Sequence, residues 1–174
     1  MRNVLAALAA TGALVAGAAA AQDESTNRVA AVTDWSVFIE DEPQECWGVS
    51  APKEQVNTRD GRVVAVRRGD ALLFVAYRPG QEVKAEVSYT GGYPFAPNST
   101  VLLDIGGRRF ELFTEGEFAW PASPEEDAQI VTAMRAGADA KLVARSSRGT
   151  RTEDTFSLLG FTAALEEAES RCGG

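Results

Sequence analysis

Ser50 and Lys53 stand three positions apart, the spacing of the S-x-x-K motif in which a lysine deprotonates a serine nucleophile. That chemistry needs a helical turn to bring the two side chains together. Pro52 disfavours a helical conformation at Ala51, and neither an S-D-N nor a K-T-G sequence follows. The pair therefore does not predict a serine acyl-transfer site.

A second group of reactive side chains is acidic and comprises Glu40, Asp41, Glu42 and Glu45. Such carboxylates could bind calcium or supply the acid pair that cleaves a glycosidic bond. Their spacing is not that of an EF-hand loop, and acids beside a proline are typical of a solvated turn. We predict a turn, and keep Asp41, Glu42 and Glu45 as the carboxylates of an alternative function, an envelope enzyme that acts on peptidoglycan.

The rest of the composition narrows the chemistry further. The chain has two cysteines and no histidine. The absence of histidine excludes histidine bases, histidine-activated nucleophiles and histidine-ligated zinc. Gly91-Gly92 and Gly106-Gly107 lack the strand, loop and helix order of a phosphate-binding loop. The sequence predicts no catalytic residue, no cofactor and no metal, and therefore a protein that is not an enzyme.

Three aromatic residues, Tyr93, Phe95 and Trp120, fall in predicted loops between strands. Loop aromatics commonly contact sugars or peptides, so these residues are a candidate binding surface. The alternative is that they form the edge of the core, because large rings bury well.

The first residues have the order of a signal peptide. Arg2 precedes an Ala, Leu and Val stretch, and small residues at 19–21 suit cleavage after Ala21. The alternative is a membrane anchor, but the stretch is barely long enough to span a bilayer. We expect a signal peptide over 1–21, a flexible lead-in over 22–33 and a single β domain over 34–174, exported to the periplasm with no membrane span in the mature chain.

The charge of the mature chain excludes one class of partner. Removal of the leader with Arg2 leaves 16 basic against 25 acidic residues, a formal charge of −9. Such a surface repels phosphate backbones, so nucleic acid is not an expected partner.

The pattern of the exported part is mainly that of β-strands. Order is expected to begin at Trp35, and apolar residues then alternate with polar ones in short runs, one of them over 62–67. Hairpins are predicted at Gly106-Gly107 and around residues 148–150.

Two helices complete the expected fold. Ser123 and Pro124 begin a helix over 124–136, which Gly137 is expected to end in the left-handed conformation, and a second helix covers 162–171. The fold class predicted is an antiparallel β-sandwich or partly closed barrel with two short α-helices, one at the C-terminus.

The two cysteines of an exported chain predict one disulfide between Cys46 and Cys172, because oxidising compartments form and keep such bonds. The alternative is a pair of free buried thiols. The bond would hold the C-terminal helix to an early strand.

Three segments together resemble a known family. They are Trp35-Ser36-Val37-Phe38 leading into Glu45-Cys46-Trp47, then Thr90-Gly91-Gly92-Tyr93-Pro94-Phe95, and the stretch from Ser146-Ser147-Arg148-Gly149-Thr150 through Asp154-Thr155-Phe156 to Ala164. The chain resembles the invasion-associated locus B family of bacterial exported proteins from about Asp34 to Cys172. The resemblance implies a periplasmic or envelope protein with a compact β domain. It supplies no catalytic residues, and many members look to carry a further cysteine pair that this chain lacks.

The function expected from these observations is a non-catalytic binding or structural domain of the cell envelope. Its partner would be an envelope protein or a glycan. The alternatives are the carboxylate-based envelope enzyme and a secreted virulence factor that contacts a host surface.

Overall fold

The structure is a computed structural model that describes residues 27–173. The expected signal peptide over 1–21 and the first part of the lead-in lie outside the described residues. No helix within the described range is long and apolar enough to cross a membrane.

The described residues form twelve strands, two α-helices and one short 3-10 helix at Pro79–Gln81. The strands are Arg28–Val32 (β1), Trp35–Asp41 (β2), Gln44–Ser50 (β3), Glu54–Arg59 (β4), Arg62–Val63 (β5), Leu72–Arg78 (β6), Val83–Thr90 (β7), Thr100–Ile105 (β8), Arg108–Glu115 (β9), Phe118–Trp120 (β10), Asp139–Arg145 (β11) and Arg151–Ser157 (β12). The helices are Pro124–Ala136 (α1) and Phe161–Cys172 (α2).

All twelve strands belong to one antiparallel sheet in the order β1-β2-β3-β6-β7-β10-β9-β8-β11-β12-β4-β5. β3 and β4 are joined by three residues yet lie far apart in this order, so the sheet must curl back on itself. The Trp35 indole donates to the Ser157 carbonyl at 3.0 Å, which joins β2 to the end of β12. The sheet remains open at β1 and β5. The predicted mainly β, antiparallel fold with two helices is confirmed.

The core lies inside the curled sheet and under α2. Trp35 at the start of β2 is almost fully buried, and its ring meets that of Phe161 edge-on with centroids 5.0 Å apart. Ala164, Leu165 and Ala168 bury the apolar face of α2, which packs on β1, β2, β3 and β6. Cys46 and Cys172 form the predicted disulfide, with 5.8 Å between their Cα atoms.

Helix α1 begins where its capping residues predict. The Ser123 hydroxyl accepts from the Glu126 amide, and the Glu126 carboxylate accepts from the Ala122 amide at 2.8 Å. This arrangement resembles a capping box, except that the carboxylate binds the amide of the residue before the cap. The expected left-handed end at Gly137 is wrong, because φ there is −88°. The glycine is needed for packing instead, since a Cβ would lie 2.6 Å from Ile105 Cγ2.

Three segments differ from the sequence-based expectation. Residues 28–32, within the expected lead-in over 22–33, form β1 and pair with β2. The strand expected over 62–67 ends at Val63, and the chain continues irregularly to residue 71. β10 was not predicted, because three residues are too few to show an alternating pattern.

Candidate functional site: an arginine-lined cleft

The three aromatic candidates occupy two different places. Phe95 is buried in the core, with its ring edge-on to that of Tyr93 at 5.3 Å. Tyr93 is half-buried at the wall of a cleft, where its hydroxyl bonds that of Thr152. Trp120 lies in β10, stacked on Phe118, and lines a separate cleft. The structure thus joins Tyr93 to Phe95 and places Trp120 apart from them.

The S-x-x-K pair is not arranged for catalysis. The Ser50 hydroxyl donates to the Asp34 carbonyl at 2.7 Å, while the Lys53 ammonium pairs with the Asp34 carboxylate at 2.5 Å. Each residue therefore binds Asp34, and neither binds the other.

The acidic candidates are also dispersed. Asp41 and Glu42 are exposed at the turn between β2 and β3, whereas Glu45 accepts from Arg78 Nε at 2.8 Å. Within residues 27–173 no three His, Cys, Asp or Glu side chains are grouped so that they could hold a metal ion.

A cleft of about 470 Å³ lies where three loops and the end of β4 meet. It is lined by residues 65–68, which precede β6, and by residues 92–94, which follow β7. The turn 146–150 between β11 and β12 also lines it, together with Thr152 of β12 and Arg59 of β4. Glu117 reaches it from the turn before β10. Its volume lies within the range of about 300–1,000 Å³ typical of small-molecule sites.

Two backbone segments cross in direct contact at one wall of the cleft. The Gly69 amide donates to the Gly92 carbonyl at 2.8 Å. Gly92 has a φ of +71°, and a Cβ there would overlap the Gly69 carbonyl oxygen. Only glycine at position 92 allows this approach, so the Thr90–Phe95 segment fixes the path of residues 65–70.

The opposite wall is a tightly bonded turn. The Ser146 amide donates to the Thr150 carbonyl at 2.9 Å, and the Thr150 amide donates to the Ser146 hydroxyl at 3.1 Å. The Ser147 amide donates to the Pro94 carbonyl at 2.9 Å, which ties this turn to the first wall. Arg148 is exposed at its tip.

A buried ion pair lies below the cleft. The Asp154 carboxylate, 0% exposed, accepts from both terminal nitrogens of Arg68 and, at 2.5 Å, from the Tyr89 hydroxyl. The Arg68 guanidinium also lies 5.7 Å from the centroid of the Tyr93 ring. Burial, followed by the Asp154 charge, raises the pKa of Tyr89 well above its ordinary value, so Tyr89 remains a hydrogen-bond donor.

The charge of the cleft is opposite to that of the chain. Arg59, Arg67, Arg68 and Arg148 line it against the single acid Glu117, whereas the whole chain has a formal charge of −8. Sequence reasoning missed these arginines because they are far apart along the chain. A usable signal existed, since two of the three segments that carry the family resemblance, Thr90–Phe95 and the stretch beginning at Ser146, meet here.

The cleft beside Trp120 is acidic. It is also lined by Glu86, Glu115 and Asp127. Burial raises the pKa of Asp127 to about 6, against the opposing effect of the hydrogen bond from the Val87 amide, 2.8 Å long. The Glu86 carboxylate pairs with Arg78 at 2.9 Å. These partners assign Asp127 to the docking of α1 on β7 and Glu86 to a surface ion pair.

Two comparisons with known proteins agree with the family resemblance. The family model described as Invasion associated locus B (IalB) protein matches residues 110–169. The crystal structure of invasion associated protein b from Bartonella henselae matches with a TM-score of 0.54 and 18% identity, over 81% of this chain and 95% of that chain. At this identity the structural match shows a shared fold. No curated protein matches the sequence.

Proposed function

We propose that this chain, which is similar to the invasion associated locus B family, is an exported, non-catalytic binding domain of the cell envelope. The observation that carries the proposal is the arginine-lined cleft, which is large enough for a ligand and is built from loops on a rigid sheet.

The fixed walls support binding, because a site that is already formed loses little entropy when a ligand enters. The Gly69 and Gly92 backbones hold one wall, and the Arg68 to Asp154 pair anchors it from below. The Ser147 amide links this wall to the turn at 146–150.

The chemistry around the cleft supports binding without catalysis. The Ser146 hydroxyl accepts from a backbone amide, and the Thr152 hydroxyl bonds that of Tyr93. The Asp154 carboxylate is occupied by three donors. A serine or threonine nucleophile needs an adjacent base, whereas both of these hydroxyls are already engaged in hydrogen bonds.

Location in the periplasm is part of the same proposal. The leader pattern over 1–21 supports export, and the disulfide between Cys46 and Cys172 suits an oxidising compartment. If the leader is cleaved, the protein isolated from cells begins at or near Gln22. Recovery with Met1 intact in a membrane fraction would refute export as a free domain.

Site-specific photo-crosslinking in intact cells tests the binding function. A photoreactive amino acid replaces Ser147, which is exposed at the cleft, or Gln129, which is exposed on α1 as a matched control. We expect adducts of defined mass at position 147 that are absent at position 129. No adduct at 147, or the same adducts at both positions, would refute the cleft as the binding site. Adducts found only in secreted protein would favour the alternative role at a host surface.

A further inference from the structure

We infer that the cleft recognises an acidic ligand of low molecular weight through its oxyanion group, a carboxylate or a phosphate. This inference rests on the proposed function, because it names the ligand chemistry of the same cleft.

The arginines of the cleft divide into two kinds. Arg68 is part of the wall, since its side chain is 7% exposed and its charge is matched by Asp154. Arg59 donates to the Thr150 hydroxyl at 2.7 Å, which leaves its charge unmatched. Arg68 therefore shapes the cleft, while Arg59 contributes positive charge to it.

Arg67 and Arg148 are the groups available to a ligand. Both are exposed, and neither forms a hydrogen bond or ion pair with another residue of the described chain. A guanidinium has five N–H donors in a planar fork that fits two oxygens of a carboxylate or phosphate. The Ser147 hydroxyl at the same wall, also without a bonded partner among residues 27–173, is a further donor.

A group of arginines without acidic partners in one cleft is unexpected in this chain, because its acidic residues outnumber its basic ones by 25 to 17. Several arginines elsewhere on the surface have acidic partners, as Arg78 has Glu45 and Arg109 has Asp104. With Arg68 matched by Asp154, the other three arginines of the cleft face Glu117 alone, a formal charge of +2. An oxyanion supplies the negative charge that the lining lacks.

The remaining charge of the protein limits the size of the ligand. A long polyanion would extend beyond the cleft and meet a surface whose overall charge is negative. A small acidic ligand meets only the arginines and the rim. Glu117 is the one lining residue that opposes it, and removal of its charge should strengthen binding.

Three sugars that differ in one substituent test the inference. Glucose is neutral, glucuronate carries a carboxylate and glucose 6-phosphate carries a phosphate. Each is titrated into the folded domain, and backbone amide shifts are followed by NMR. We expect shifts concentrated at 65–69, 92–94 and 146–150 with an acidic sugar, with Kd on the order of 1 mM, and none with glucose. The preferred acid identifies the oxyanion.

Variants link the response to the charges. Arg67→Gln and Arg148→Gln should each weaken binding about tenfold, the loss expected for one charge-assisted hydrogen bond. Glu117→Gln should strengthen it about twofold. Arg135→Gln is the matched control, because Arg135 is a partly exposed arginine of α1 that does not line the cleft. It should bind like the wild type.

Two results would overturn the inference. One is an equal response to all three sugars, or to none. The other is unchanged binding in Arg67→Gln and Arg148→Gln. The protein could also form photo-crosslinked adducts at position 147 and yet not respond to either acidic sugar. That result would refute the acidic ligand and leave the cleft as a binding site.

Discussion

Loss of one partner of the Arg68 to Asp154 pair should destabilise the domain strongly, whereas loss of both should not. The carboxylate is 0% exposed and the Arg68 side chain 7% exposed, so neither can turn to water when its partner is removed. Breaking a buried pair in this way costs about 3–5 kcal/mol. That is a large part of the 5–15 kcal/mol by which a domain is usually stable.

The test is a double-mutant cycle in a Tyr89→Phe background, which removes the third donor to the carboxylate. Arg68→Leu and Asp154→Leu are compared with the double variant by urea unfolding. Each single change should lower the unfolding free energy by about 3–5 kcal/mol. The double variant should lose no more than either single variant, so its loss should fall short of the sum by at least about 3 kcal/mol. Additive losses would refute the view that the pair acts as one buried unit.

Three further outcomes follow from the structure. Gly92→Ala should lower the unfolding free energy measured in urea by about 2–4 kcal/mol, because the added Cβ overlaps the Gly69 backbone and the residue is held in a left-handed conformation. Gly106 also has a positive φ, +58°, but open space around it, so Gly106→Ala should lower it by about 1 kcal/mol. The bond between Cys46 and Cys172 closes a loop of 126 positions. Its reduction should lower the unfolding free energy by up to about 4–5 kcal/mol, which would be measured as a lower Tm. Because burial raises the pKa of Asp127 from 3.8 to about 6, the folded state binds a proton that the unfolded state has released, so stability should fall as pH rises from about 4 to 6. Asp127→Asn, which keeps an oxygen for the Val87 amide, should flatten that fall; an unchanged pH profile would contradict the assignment.

Local signals predicted most of the fold. The Gly106-Gly107 turn and the strands beside it form the expected hairpin of β8 and β9. The residues Ser123 and Pro124 place the start of α1, since capping groups act within one turn of the chain. The expected export and an even cysteine count were sufficient to predict the disulfide.

The path of residues 64–71 could not be predicted in the same way, because distant residues determine it. The local pattern of 62–67 favours a strand. The chain leaves the sheet because the Gly69 amide donates to Gly92, and because Arg68 pairs with Asp154, 86 positions away. Such contacts override local preference when they satisfy buried polar groups.

The acidic composition and the proposed acidic ligand are compatible, because electrostatic interactions in salt solution are short in range. The Debye length is about 8–10 Å at physiological ionic strength, so a group inside the cleft is governed by charges nearby. Net charge thus argues against a nucleic acid, which would contact much of the surface, and says little about a carboxylate or phosphate that contacts Arg67 and Arg148. If this reasoning is right, added salt should weaken binding of the acidic sugar, while acidic substitutions on α1, outside the cleft, should leave its affinity unchanged.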